Sequence, residues 1–163
     1  MSSNKKEKDN YKVIAFNKSA RFHYEIIETL EAGIVLMGSE VKSIRQSKVS
    51  INEAYIDTYS DEHIPQGTLC LINSNISEYK FAHSFGHSEK RARPLLLRQK
   101  QQSKWTDAKK KKGYTIIPLK MYFNERGKVK LEIALATGKK LHDKRETLKN
   151  RDWEREKNRL LKN

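Results

Sequence analysis

The sequence predicts a mainly β domain with accessory α-helices, built as a small closed or partly closed antiparallel barrel. Apolar residues alternate with polar ones from Tyr24 to Leu36. A second pair of alternating runs, Ile117 to Phe123 and Val129 to Leu135, is joined across NERG. Helical signals are confined to two short stretches.

At 163 residues the chain has room for one domain with a real core, plus extensions. Residues 1–12 read as a disordered basic arm, because MSSNKKEKDN offers almost no apolar surface to offset the entropy of ordering. The same stretch lacks the apolar region of a secretory signal. Ordered structure is expected from about Val13.

In the first long strand the even positions carry Tyr24, Ile26, Leu30, Ala32, Ile34 and Leu36, and only Glu28 breaks the pattern. EIIETLEA taken alone is also compatible with a helix. GSEVKSIRQ reads as a short helix with Ser39 as its cap and Glu40 at the positive end of its dipole. Val41 and Ile44 share one face, leaving Lys42 and Arg45 outward. Residues 54–59 and 68–76 read as strands joined through DEHIPQG, and a long polar loop is expected from Ser77 to about Arg93.

The strongest helix signal is LRQKQQSKWTDAKKKKG. Leu97, Gln101, Trp105 and Ala108 recur on one face, four lysines fill the last turn, and Gly113 supplies the stop. In the hairpin that follows, Ile117, Leu119, Met121 and Phe123 alternate along one strand, and Val129, Leu131, Ile133 and Leu135 along the other. Pro118 lacks a donor, so that strand meets an edge or a bulge there.

Thirty-four Lys and Arg against 20 Asp and Glu give a net charge of +14, which points to an anionic partner. No run approaches the roughly 18 consecutive apolar residues of a spanning helix, so a membrane is the weaker candidate. The single Cys70 excludes an internal disulfide and, within LCLI, reads as a buried, inert thiol. These features fit a cytoplasmic protein that binds nucleic acid.

Catalysis finds little support. HSFGH spaces His83 and His87 as helical metal ligands would be, but Phe and Gly between them disfavour a helix and a solvated loop is the better reading. There is no P-loop, no GxSxG and no zinc-spaced Cys pair. HDKRE forms a nuclease site only if its lysine and carboxylates converge on a metal. No catalytic residue, metal ligand or cofactor is expected. Three basic segments, VKSIR, RQKQQSKWTDAKKKK and the tail, occur instead with Tyr, Phe and His able to stack on unpaired bases, which favours RNA over DNA.

NKSARFHYEIIETLEAGIVLMGSEVKSIR, RPLLLR, GYTIIPLKMYF and GKKLHDKRE, in that order, closely resemble the small protein B family, the SsrA-binding proteins of bacterial trans-translation. The resemblance runs from about Val13 to the end. It implies an OB-like RNA-binding barrel over residues 13–137 and a basic C-terminal tail, 138–163, mobile when free and helical on the ribosome. It further implies a monomeric, non-enzymatic adaptor. Such an adaptor binds the tRNA-like domain of transfer-messenger RNA and delivers it to stalled ribosomes, its tail entering the small-subunit decoding centre and mRNA channel.

Carried over by position, the RNA-binding residues are Asn17, Lys18, Arg21, Glu31, Lys42, Arg45, Leu96 and Arg98. Glu31 can accept hydrogen bonds from a guanine edge and Lys42 can meet phosphate. On side-chain chemistry alone, Glu31 is equally a solvated strand residue and Leu96 a core residue. The ribosome-binding tail residues are Gly138, Lys139, Lys140, His142, Asp143, Lys144 and Arg145, with His142 suited to stacking on a base. The chain departs from the family pattern at Ser47, where glycine is usual, at Pro94, which replaces a common basic residue, and at Arg98, where histidine or asparagine is typical. A constitutive ribosomal or ribosome-assembly protein is the alternative that the same basic barrel and tail would suit.

Overall fold

The computed structural model describes residues 12–82 and 86–162, with the backbone alone at 141–143. The expected arm lies outside the described residues except for Lys12, which opens strand β1 (Lys12–Phe16). A single helical turn, α1 (Ala20–His23), leads into the long strand β2 (Tyr24–Ile34). The extended reading of EIIETLEA is the observed one. Its break in alternation has a physical cause: the register with β9 (Val129–Gly138) shifts between Ile26 and Glu28, a bulge that leaves Ile27 exposed.

Helix α2 (Gly38–Arg45) buries Ile44 and turns Lys42 and Arg45 to solvent, as the pattern predicts. Ser39 is not its cap. Met37 holds that position, its N–H donating to Glu40 Oε1 at 3.5 Å, while Ser39 is the second residue of the helix and bonds elsewhere. The helix ends in a reciprocal pair of bonds, Lys48 N to Ser43 O at 3.1 Å and Ser47 N to Ile44 O at 2.9 Å. This geometry needs a left-handed residue, and Ser47 supplies it with φ 58°.

Short strand β3 (Val49–Ser50) precedes β4 (Tyr55–Thr58). The single strand expected over 68–76 is two, β5 (Leu69–Ile72) and β6 (Asn75–Ile76), because Asn73 adopts φ 61° and turns the chain out of the first sheet to pair with β3. The polar loop ends where expected: Arg93 is buried and begins β7 (Arg93–Leu96). Helix α3 (Gln99–Lys112) follows the periodic pattern, with Trp105 buried and Gly113 left-handed at its C-terminus.

The hairpin of β8 (Thr115–Phe123) and β9 turns where Asn124 Oδ1 accepts from Arg126 N and Lys128 N, and Gly127 takes φ 73°. Pro118 lies at a bulge, the register shifting between Pro118 and Lys120. The bulge exchanges the faces of β8, so its apolar residues do not share one side. Ile116 and Met121 enter the main core, whereas Ile117 and Leu119 join a second cluster with Ala20, Ala134 and Ala136.

All pairings in the main sheet are antiparallel. Its order, β1-β8-β4-β5-β7-β2-β9, closes on itself because β9 also pairs with β8. The result is a barrel filled by Ile56, Leu69, Leu71, Leu131 and Ile133 among others, with Ile44 of α2 and Trp105 of α3 packed into the same core. Beyond it stands α4 (Leu141–Leu161), nearly all of whose described side chains are exposed.

Candidate RNA interface

Strand β2 carries the two ends of the candidate site. Toward its C-terminal end Glu31 faces outward between the partly buried Leu30 and the buried Ala32, directly opposite Glu132 of β9, and accepts a hydrogen bond from the Tyr122 hydroxyl of β8. Glu132 is in turn balanced by Lys120 at 3.3 Å. Two positions further on, Gly33 pairs with Leu96, and a Cβ at Gly33 would meet Leu96 Cβ at 3.0 Å. Glycine therefore lets Leu96 lie flat on the outer surface. Leu96 is 62% exposed, which removes the core reading, while its neighbour Leu95 is buried. The structure thus brings Glu31 and Leu96 together with Tyr122, which sequence reasoning had not singled out.

Lys42 and Arg45 project from α2, which leaves this same end of β2, and Arg98 follows β7 as the residue before α3. The Lys42 ammonium lies 5.4 Å from the Tyr79 ring centroid. All three cations are exposed. Pro94, just before the leucines, accepts through its carbonyl from Val35 N at 2.9 Å.

Asn17, Lys18 and Arg21 lie at the other end of β2, where Tyr24 pairs with Gly138. About seven residues of strand, or roughly 23 Å, separate this end from Glu31. Asn17 is held by Nδ2 donating to Pro118 O at 2.9 Å, leaving its buried Oδ1 without a partner among the described residues. Lys18 N donates to Asn52 Oδ1 at 3.2 Å, and Arg21 is exposed on α1. A cavity of about 700 Å³ opens here, lined by Asn17, Tyr24, Tyr55, Lys109, Lys139 and Lys144 among others. Asn17 is therefore grouped with the root of the tail rather than with Glu31.

Gly138 ends β9, and Lys139 N donates to His23 O at 2.9 Å, so the tail departs from a fixed point. Lys140 precedes α4 as its N-cap, and Lys144 and Arg145 lie in its first turns. The Arg151 guanidinium lies 5.9 Å from the Phe22 ring centroid, and Lys139 Nζ donates to Thr147 Oγ1 at 3.1 Å. His142 and Asp143 belong to α4, but their side chains lie outside the described residues.

A buried ionic clasp fixes α2 to the barrel. Glu40 is fully buried; Arg93 bonds it through Nε, and the partly exposed Arg91 approaches it at 2.6 Å. Arg93 spends its remaining donors on Ser74, Arg91 O, Ser88 O and Glu89 O. Burial pulls the Arg93 guanidinium below its usual range, and Glu40 opposes that shift. Period-two alternation of Arg91, Arg93 and Leu95 on one inward face was the available signal, since a buried arginine requires a buried acid.

His87 also departs from expectation. It is buried, not solvated, with Nδ1 2.9 Å from Ser39 Oγ and Nε2 2.9 Å from Ile76 O. His83 lies outside the described residues. Cys70 is buried as expected, and burial, with Asp61 adding to it, pushes its thiol up to about 11. No helix among the described residues is long and apolar enough to cross a membrane.

The geometry offers two basic, aromatic-bearing surfaces on one rigid barrel and a projecting basic helix. The family model for SmpB protein matches residues 14–163. An SsrA-binding protein of Rhodopseudomonas palustris (strain TIE-1) is 56% identical over 151 residues, which are 93% of this chain and 92% of that protein. An SsrA-binding protein of Bartonella henselae (strain Houston 1) is 53% identical with the same coverage. Among solved structures, a chain from one described as "tmRNA-SmpB: a journey to the center of the bacterial ribosome" superposes with a TM-score of 0.60 at 40% identity, over 77% of this chain and 84% of the other. With the match spanning barrel and tail alike, the chain belongs to the SmpB protein family.

Proposed function

We propose that this chain is a non-enzymatic adaptor that binds the tRNA-like domain of transfer-messenger RNA and delivers it to stalled ribosomes for trans-translation. The observation that carries this reading is the family match across residues 14–163, together with a 40% identical solved relative from a tmRNA-SmpB study of the bacterial ribosome. An adaptor needs two separated surfaces, and β2 supplies them at its two ends. Glu31, Leu96, Arg98, Lys42 and Arg45 meet the tRNA-like domain: Glu31 accepts from a base edge, Leu96 packs against a base or ribose, and the cations take phosphates. Asn17, Lys18 and Arg21 contact RNA at the root of the tail.

Gly138, Lys139, Lys140, His142, Asp143, Lys144 and Arg145 engage the ribosome, with α4 running along the empty mRNA channel. Its 21 residues span about 30 Å. The tail, residues 138–163, is mobile when free and helical on the ribosome. The chain acts as a monomer in the cytoplasm, where its RNA partners are.

Crosslinking in cells followed by sequencing of the bound RNA tests the reading. One small stable RNA should be enriched, with the protein substoichiometric on ribosomes. One copy on every ribosome with no such RNA would identify a constitutive ribosomal protein instead.

A further inference from the structure

The loop after β6 presents two aromatic rings that neither core cluster uses. Its start is fastened to α2 by Ser43 Oγ donating to Ser77 O at 2.7 Å, and by Ser77 N donating to Lys48 O at 3.0 Å just beyond the helix. Its return is fastened to the same helix through His87 on Ser39 and Arg91 on Glu40. The described residues between these anchors are therefore held beside the surface from which Lys42 and Arg45 project.

A turn closed by Ala82 N donating to Tyr79 O at 3.0 Å brings Tyr79 and Phe81 together. Their ring centroids lie 5.5 Å apart with planes at 67°. Tyr79 is half-buried beneath the Lys42 ammonium, whereas Phe81 is 71% exposed, among the most exposed large apolar side chains described. Tyr79 also borders an open hollow of about 650 Å³ that continues past Ser88 to Lys90. Lys42 lies over Tyr79, Lys80 falls between the two aromatic residues in the chain, and Lys90 lines the hollow beside Tyr79 together with Glu78 and Glu89. A water-exposed phenyl ring braced edge-on by a tyrosine that itself lies under an ammonium suits an aromatic ligand that carries negative charge beside its ring, which is the chemistry of a nucleotide.

We propose that Tyr79 and Phe81 form a stacking platform for an unpaired nucleobase of the tRNA-like domain, with Lys42 and Arg45 holding the adjoining phosphates. The platform extends the Glu31 and Leu96 surface around α2, and it rests on the adaptor reading above. Tyr79 positions the Phe81 ring, and Phe81 supplies the open face. Stacking is sequence-tolerant, so the platform contributes affinity and orientation while Glu31 supplies selectivity.

The test uses the full chain and the isolated tRNA-like domain RNA. Phe81→Ala should weaken binding by roughly five- to a hundredfold, the range for loss of one stacked base, without changing the salt dependence. Lys42→Ala should instead flatten that dependence by about one unit of slope. Phe81→Trp, made together with Trp153→Phe, should keep its affinity, and the indole it introduces should lose fluorescence as RNA is added. Parental affinity in Phe81→Ala, or an indole unmoved by saturating RNA, overturns the platform and leaves the adaptor function standing. Failure of the parent chain to bind overturns both.

Discussion

Arg93 of β7 and Glu40 of α2, 53 positions apart in sequence, form an ion pair buried completely from solvent. The pair decides where α2 sits, and with it where Lys42, Arg45 and the loop carrying Tyr79 face. Removing the acid leaves a buried guanidinium without its countercharge. Glu40→Ala should therefore lower the unfolding free energy by about 3–5 kcal/mol, read from urea melts. Glu40→Leu combined with Arg93→Met should lose much less than the two single changes summed. A mild effect of Glu40→Ala would show that the clasp contributes little.

Ser47 holds φ 58° at the end of α2, where a side chain is strained. Ser47→Gly should raise stability by about 0.5–1 kcal/mol, the relief of strain exceeding the added entropy of the unfolded chain. The melting temperature should rise by about 1–4 °C with RNA affinity unchanged.

Tyr122 donates to Glu31, which holds the carboxylate in place before RNA arrives. Glu31→Ala should cost about 1.5–3 kcal/mol of affinity for the tRNA-like domain, while Tyr122→Phe, which removes the orienting bond, should cost about 0.5–1.5 kcal/mol. Equal or stronger binding by Glu31→Ala in a titration would show that the carboxylate does not read a base.

Gly138 pairs with Tyr24, and Lys139 N bonds His23 O, so a chain ending at Lys140 keeps every strand. That truncation should fold and retain most of its RNA affinity yet fail to support peptide tagging on stalled ribosomes. Replacing His142, Asp143, Lys144 and Arg145 by alanine should reproduce much of the failure. Amide relaxation should show α4 reorienting separately from the barrel, since nearly all of its described side chains are exposed.

Cys70 is buried, and its thiol is pushed up to about 11, far from ionisation at neutral pH. Asp57 moves the other way: burial raises it, but the hydrogen bond and charge of Lys109 at 2.5 Å, together with the Thr58 N–H donating to Oδ1, outweigh burial and hold it below the usual carboxylate range. The folded chain should thus resist a thiol reagent at pH 8 until denaturant is added. The tie between α3 and β4 is in place above the ordinary carboxylate pKa and is lost as pH falls through the lowered folded value. In acid titration Lys109→Met should show a smaller loss of stability than the parent.

The long strand from Tyr24, the α3 pattern around Trp105, the Asn124–Gly127 hairpin turn and the anionic character of the partner are legible in the residues alone. Each rests on short-range periodicity, turn chemistry or summed charge, which neighbouring residues encode without reference to distant ones. Tertiary structure alone decided that Arg93 and Glu40 meet, that Tyr122 holds Glu31, and that Ile117 and Met121 face opposite ways across the Pro118 bulge. It also parted Asn17 from Glu31 and set Leu96 on the surface against Gly33. Those outcomes follow from barrel closure, which fixes the register of β8 against β9 and of β2 against β7, and register depends on how all the strands fit around one core.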